Sequence, residues 1–180
     1  LTILYATGYY VAYSYIEPFL AQVAGMSDDL ITIVLSVFGV AGLASSWLFA
    51  RFFDAHRRVY LRTTMIGLAL ALLMLAPVAP WAAATIGVCV IWGACSTSFN
   101  AGAQAEVIRV TNEEQSAVAM SIFSGLFNVG IGGGSIIGGV VCDTLGVGAI
   151  GLVGGIVAVA GALWCALVLG RLLTAHGRAN

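Results

Sequence analysis

Lysine is absent from this chain, and charged residues of every kind are scarce. Only 8% of the 180 residues are charged, 61% are hydrophobic, and the mean hydropathy is +1.03. A soluble domain carries about a quarter charged residues, and a water-soluble protein of this size needs more polar surface than this sequence supplies. The composition therefore excludes an ordinary soluble domain and indicates that lipid surrounds most of the chain. The net charge of −1 provides no basic surface for nucleic acid.

Motifs for catalysis and for metal or cofactor binding are also missing. The two histidines, His56 and His176, lie far apart, and the cysteines lack metal-ligand spacing. The segment 146–151 matches G-x-G-x-x-G, but it opens an apolar helix and does not follow a strand, as a dinucleotide site requires. We therefore expect no enzyme, no metal and no cofactor. We interpret the four cysteines as small apolar packing residues: Cys89, Cys95, Cys142 and Cys165.

The apolar residues form six runs, each long enough to cross a bilayer. A spanning helix needs about 20 apolar residues, because the hydrocarbon layer is about 30 Å thick and each residue rises about 1.5 Å. Charges and turn residues separate the runs, and Pro77 and Pro80 divide the uncharged stretch 63–105. We predict one all-α membrane domain over residues 1–180, with helices at about 1–24, 30–50, 60–76, 81–105, 117–141 and 147–170.

The arginines predict the orientation in the membrane. They fall between the second and third predicted helices, between the fourth and fifth, and in the C-terminal tail: Arg51, Arg57, Arg58, Arg62, Arg109, Arg171 and Arg178. The positive-inside rule makes that side cytoplasmic, so both termini are expected in the cytoplasm of a multi-pass plasma membrane protein. Asp28, Asp29 and Asp143 fall on the opposite side. Because Leu1 lies inside an apolar run without a basic segment before it, we expect a truncated start and no signal peptide.

Polar residues within the predicted helices form stripes, which indicates that those helices face a shared polar space. At 100° per residue, the first, fourth and fifth helices each present one such stripe, the second a weaker one, and the third and sixth almost none. This order predicts two three-helix units in tandem. Hydrogen bonding between helices is the alternative explanation of the stripes. They comprise Thr2, Tyr10, Tyr13, Ser14 and Glu17; Gly93, Ser96, Thr97, Asn100 and Gln104; and Ser121, Ser124, Asn128, Gly132 and Ser135.

Glu17 is the one ionisable side chain expected deep within a span. A mid-membrane acid costs about 2.5–3.5 kcal/mol on insertion scales, so Glu17 is a candidate for proton coupling or solute binding. The alternatives are an acid hydrogen-bonded to a neighbour such as Tyr13, or one wetted at the outer interface. Pro18 follows it, and proline removes a backbone hydrogen bond and kinks or ends a helix.

Amide and tyrosine side chains on the stripes are the remaining candidates for solute binding. Amides present both donors and acceptors, which suits a polyol or a purine, and tyrosine can stack on a ring and donate from its hydroxyl. Packing and hydrogen bonds between helices are the alternatives. The residues concerned are Asn100, Gln104, Asn128, Tyr10 and Tyr13, and the neighbouring Tyr9 and Tyr15 are further candidates for stacking.

Three segments carry a family resemblance. Residues 7–20, with Tyr13, Glu17 and Pro18, resemble the seventh helix of bacterial sugar efflux transporters of the arabinose efflux type, in the drug–proton antiporter branch of the major facilitator superfamily. Residues 119–134 resemble their eleventh helix. Residues 50–58 resemble the signature loop of the superfamily, although alanine replaces its first glycine and no glycine precedes the arginines. The resemblance implies a gating role for Asp54, Arg57 and Arg58.

The resemblance implies that the chain is the C-terminal half of a twelve-helix transporter, with the N-terminal six-helix half missing. It implies proton-coupled efflux of sugars or other small polar solutes by alternating access, with protons, the solute, the bilayer and the other half as partners. It places Tyr13, Glu17, Asn100 and Asn128 on the central cavity.

Two other functions are compatible with the sequence. A drug or purine and nucleoside efflux pump on the same fold would have a cavity richer in aromatic side chains than in amides. A non-transporting membrane scaffold would have polar stripes that pair with each other and leave no cavity.

Overall fold

The computed structural model describes residues 1–169, which are almost entirely helical and contain no strand. The tail residues Arg171, His176 and Arg178 lie outside this range. A 3₁₀ turn at Val147–Ala149 precedes the last helix, and a π-helical turn at Cys165–Leu169 extends it. The helices are α1 (Thr2–Tyr13), α2 (Ile16–Gln22), α3 (Asp28–Val78), α4 (Ala82–Val110), α5 (Glu113–Leu145) and α6 (Ile150–Trp164). Four stretches of this described range are long and apolar enough to cross a membrane: α3, α4, α5 and Val147–Leu167.

The first predicted helix, over 1–24, is divided into α1 and α2 at Ser14 and Tyr15. Tyr15 leaves helical geometry, with φ −126° and ψ 19°. The cause lies in Pro18, which has no N–H to donate to the Ser14 carbonyl and whose ring clashes with a carbonyl four residues earlier. Proline is tolerated again in the first turn of α2. The break therefore occurs where the position of Pro18 predicts a kink.

The loop expected between the second and third predicted helices is helical in the structure. Only His56 departs from helical dihedrals, with φ −136° and ψ 37°. No glycine or proline occurs between Arg51 and Tyr60, so charge alone does not end the helix there. We call the two segments that meet at His56 α3a (28–55) and α3b (57–78).

Contacts with α4 show that α3a and α3b run in opposite directions. In a straight helix, Gly42 and Gly67 would lie about 37 Å apart, at about 1.5 Å per residue. Yet Gly42 faces Thr97 of α4, and Gly67 faces Cys95, only two residues away. Near the bend, Phe53 and Leu61 both contact Gly102 of α4. The two segments therefore pack side by side against α4.

Glycine faces hold α1 tightly between α5 and α6. On α5, Gly130 and Gly134 approach the backbone of α1 near Ile3 and Thr7. On α6, Gly154 approaches the carbonyl of Gly8. Because glycine has no Cβ, the helix backbones come into direct contact. The same device joins α6 to α3b, where Gly151 and Gly155 pack on Leu72, Leu73 and Leu75.

The close approach of α5 to α1 predicts a difference between two neighbouring glycines. In Gly134→Ala the new Cβ would lie 2.7 Å from the Thr7 carbonyl oxygen, whereas at Gly132 nothing lies within 4 Å. We expect Gly134→Ala to destabilise the protein by about 1–3 kcal/mol through overpacking, and Gly132→Ala to be neutral or slightly stabilising. Thermal unfolding of both purified variants in the same detergent measures this. Equal melting temperatures would contradict the packing described.

Candidate solute-binding site

Aromatic rings fill the space between α1 and α4. Tyr5, Tyr9 and Tyr13 follow at intervals of four residues, which places them on one face of α1. The Tyr9 and Tyr13 rings stack with centroids 4.9 Å apart. The Tyr5 ring lies 4.6 Å from that of Phe99, and its buried hydroxyl donates to the Ser96 carbonyl at 2.8 Å. We call the whole set the aromatic cluster: Tyr5, Tyr9, Tyr10, Tyr13, Phe38, Trp92, Phe99 and Phe127.

A cavity of about 210 Å³ lies beside the aromatic cluster. One wall consists of tyrosine rings from α1 together with a phenylalanine ring from α5, and the other consists of polar side chains of α4. None of the lining residues carries a charge, so the cavity suits a small uncharged solute. Its volume is below the roughly 300–1,000 Å³ of drug-sized sites. The lining residues are Tyr5, Tyr9, Tyr10, Ser96, Thr97, Asn100 and Phe127.

The polar wall owes its position to the helical spacing of α4. Ser96 is buried, and its hydroxyl donates to the Gly93 carbonyl at 3.0 Å. Asn100 lies one turn further along, and its Oδ1 accepts a hydrogen bond from Nε2 of Gln104 at 3.2 Å. Because residues four apart share a helix face, Gln104 contacts the amide of Asn100 from the side away from the lining residues.

The structure brings only some of the predicted site residues to the cavity. Tyr10 and Asn100 line it, while Gln104 stands behind Asn100. Tyr13 is 38% exposed and belongs to the aromatic cluster without lining the cavity. The remaining two residues lie elsewhere on the surface.

Glu17 and Asn128 lie away from the cavity on exposed faces of the bundle. Glu17 follows the helix break and is exposed on α2. Asn128 is exposed on α5, where its Nδ2 donates to the Ser124 carbonyl of its own helix at 2.9 Å. The stripe on α5 contacts the first span at Ser135, whose hydroxyl lies 2.8 Å from that of Ser14 and whose carbonyl accepts from the Tyr15 hydroxyl at 3.1 Å.

Tyr5 and Phe127 line the cavity but were not predicted to do so. A search for polar stripes passes over both, since phenylalanine is apolar and Tyr5 lies outside the stripe of α1. The signal that identifies Tyr5 is the four-residue repeat with Tyr9 and Tyr13. Phe127 is adjacent in sequence to a predicted stripe residue but projects from a different face of α5, and its contact depends on tertiary packing.

Ion pairs join the bend in α3 to the C-terminal end of α4. Arg57 Nη1 lies 3.1 Å from Glu106 Oε1, and Arg109 Nη1 lies 3.5 Å from Asp54 Oδ1. Glu106 is only 9% exposed, so its pairing with Arg57 matters more than the exposed pair, which is worth about 0–1 kcal/mol. Arg58 is exposed at the same bend.

Among residues 1–169, no group of histidine, cysteine, aspartate and glutamate side chains is arranged to hold a metal ion. The four cysteines are free thiols. Cys89 and Cys165 are buried, and Cys95 packs against Gly67.

Long apolar helices around an uncharged cavity are the features of a membrane protein that handles small solutes. A family model for the Major Facilitator Superfamily matches residues 1–178. The chain therefore belongs to the Major Facilitator Superfamily, a family of multi-pass membrane transporters of small molecules. This confirms the superfamily predicted from the sequence, while the sugar efflux branch stays a prediction.

Proposed function

We propose that this chain is one half of a secondary transporter that exports small uncharged solutes by alternating access. The observation that carries the proposal is the uncharged cavity between α1, α4 and α5, which has tyrosine rings on one wall and the Asn100 amide on the other. A scaffold protein would need polar stripes paired with each other and no cavity. The efflux direction and the coupling to protons rest on the sequence resemblance.

Six membrane crossings and a repeat of three helices fit the helix packing. The crossings would be α1 with α2, α3a, α3b, α4, α5 and α6. Successive glycines of α5 face successive turns of α1, from Ala6 at Gly130 to Tyr15 at Gly138, so these helices run parallel. α3a and α4 are parallel by the same test, since Phe38 faces Gly93 and Gly42 faces Thr97.

The chain divides into two three-helix units, one of α1 with α2, α3a and α3b and the other of α4, α5 and α6. The first helix of each unit packs against the second and third helices of the other. α1 packs against α5 and α6, and α4 packs against α3a and α3b. This correspondence supports the inverted three-helix repeats that build each half of several transporter folds.

The composition of the cavity favours a solute with an aromatic ring over a sugar. Four of the seven lining residues are aromatic and one is an amide, and aromatic pairs add about 0.5–1.5 kcal/mol beyond their buried area. A purine or nucleoside is therefore the better-supported solute class, because the cavity of about 210 Å³ is small for a drug. Sugars are the second candidate, because Asn100 and the hydroxyls of Ser96 and Thr97 can hydrogen-bond a polyol.

Exposed polar side chains on the spans support a second half. A polar group in contact with lipid costs free energy unless it finds a partner or water. Ser121, Ser124 and Asn128 of α5 are exposed, and they would meet the missing N-terminal half across a wet path. Glu17, which is also exposed, would act in proton coupling.

The ion pairs at the bend support a gating role for the arginine-rich segment. Asp54 and Arg57 bind partners on α4, as a lock between helix ends requires. Arg58 would act on the same end of the bundle. By the positive-inside rule this end is cytoplasmic, in the plasma membrane.

Cysteine labelling tests the proposed topology. In a full-length protein whose native cysteines are replaced by alanine, Ser27→Cys and Ala55→Cys each place one exposed thiol at opposite ends of α3a. A membrane-impermeant maleimide added to intact cells should label Ser27→Cys only, and Ala55→Cys should react after permeabilisation. Labelling of both variants from outside would refute the arrangement.

Transport assays test the solute class. In proteoliposomes with the full-length protein, we expect radiolabelled purines or nucleosides to be carried in preference to pentoses and hexoses. Asn100→Ala should weaken the affinity for the carried solute about fivefold through loss of one hydrogen bond. Gln115→Ala, at an exposed site, is the control. Preferential transport of sugars would contradict the aromatic solute class and favour sugars as the solute.

Glu17→Gln tests the coupling role of that carboxyl group. Export driven by an imposed pH gradient should fall in this variant, because the amide cannot exchange a proton, while solute counterflow without a gradient should persist. Glu113→Gln, at another exposed carboxyl group, should behave as the wild type. A wild-type response to the pH gradient in Glu17→Gln would remove Glu17 from the coupling mechanism.

A further inference from the structure

Asn100 is the one amide on the cavity wall, and its orientation depends on a residue behind it. Gln104 does not line the cavity, although its Nε2 donates to Oδ1 of Asn100 at 3.2 Å. An asparagine side chain has an acceptor at one end and two N–H donors at the other. When the acceptor end is bound to Gln104, the Nδ2 end is left to face the cavity. Among residues 1–169, Nδ2 has no hydrogen-bond partner.

The other polar groups of the cavity wall do not select between donors and acceptors on the solute, so the orientation of the Asn100 amide makes that selection. The hydroxyls of Tyr5 and Ser96 already donate to backbone carbonyls, of Ser96 and Gly93 respectively. The hydroxyls of Thr97 and, on the opposite wall, of Tyr9 and Tyr10 can rotate to donate or to accept, so they do not discriminate. The amide of Asn100 is therefore the directional donor on the polar wall.

We infer that Gln104 is a positioning residue, which holds Asn100 with its N–H donors toward the cavity and so selects uncharged ring solutes with a hydrogen-bond acceptor at the ring edge. The inference rests on the proposed solute site, and it adds that this site donates a hydrogen bond to the solute. A carbonyl or an unprotonated ring nitrogen would satisfy Asn100. A solute that offers only an N–H would leave the donors of Asn100 without a partner on the solute, and such unpaired groups weaken binding.

Two planar probes test whether the site prefers a solute with a hydrogen-bond acceptor to one with a donor. Quinoline has a ring-nitrogen acceptor and no donor, whereas indole has a ring N–H donor and no strong acceptor. Both are bicyclic and uncharged at pH 8. Binding of each is measured by calorimetry on the detergent-solubilised full-length protein, with a protein-free detergent blank. The wild type should bind quinoline about fivefold more tightly than indole, as expected for one hydrogen bond.

Variants at Gln104 then change the orientation without touching the solute. In Gln104→Met no donor holds Oδ1 of Asn100, so the amide can turn and the quinoline-to-indole ratio should fall toward one. In Gln104→Glu the ionised side chain only accepts, which draws Nδ2 of Asn100 toward position 104 and presents Oδ1 to the cavity. The ratio should then reverse in favour of indole. Gln115→Glu is the matched control and should keep the wild-type ratio.

The outcomes distinguish the inference from the proposed function. A wild-type ratio in both Gln104 variants would overturn the positioning role while leaving the solute site intact. A parallel loss of affinity for both probes, with the ratio unchanged, would show a merely structural role for Gln104 and would also overturn the inference. Absence of binding of either probe by the wild type would overturn the solute site, and the inference with it.

Discussion

The unequal spacing of α1 from its neighbours is the constraint on which the rest of this bundle depends. Glycines 130, 134 and 138 bring α5 onto the backbone of α1, and Gly154 does the same for α6. On the other side, whole aromatic rings separate α1 from α4. Glycines let α5 and α6 approach the backbone of α1 closely, whereas tyrosine side chains hold α4 further from it. The cavity lies in the space that this asymmetry opens.

Hydrogen bonds to nearby carbonyls help to explain how polar groups are tolerated inside an apolar bundle. An unpaired polar group in hydrocarbon costs several kcal/mol, and many hydroxyls of the described residues donate to a carbonyl within reach. Thr64 donates to the carbonyl of Tyr60, and Thr85 donates to that of Val78. The first bond holds a hydroxyl on its own helix, and the second joins the start of α4 to the end of α3b. The polar side chains that α4 contributes to the cavity are Ser96, Thr97 and Asn100, on the face of α4 that looks toward the rings.

Much of the fold followed from the sequence, because membrane helices obey rules of length, charge and proline position. Pro18 located the break in the first span, and the arginines gathered at one end of the described bundle as expected. The loop at 51–59 was less predictable: charge usually marks a loop between spans, but helix dihedrals persist until a single residue, His56, departs from them. Without glycine or proline there, no local signal set the bend.

The site was only half predictable, for a reason of geometry. Tyr10 and Asn100 were placed on the cavity by stripes on single helices. A stripe defines which face of a helix is polar, but not which neighbour that face meets. Glu17 and Asn128 satisfied the same test but are exposed and do not line this cavity. Tyr5 and Phe127 were missed because a ring lining a cavity and a ring filling a core have the same sequence signature. Contacts between distant helices decide both questions.

The distribution of charge shows why an oriented amide suits this site. The ion pairs lie at the end of the bundle, where Arg57 and Arg109 remain partly exposed, while the cavity has no charged side chain. A charge inside the bundle would have to be desolvated and paired each time the solute leaves, and breaking such a buried pair costs about 3–5 kcal/mol. An amide offers direction without that penalty. The Asn100 amide discriminates between hydrogen-bond acceptors and donors on the solute according to which of its ends faces the cavity. Gln104, which binds the other end, therefore sets this specificity.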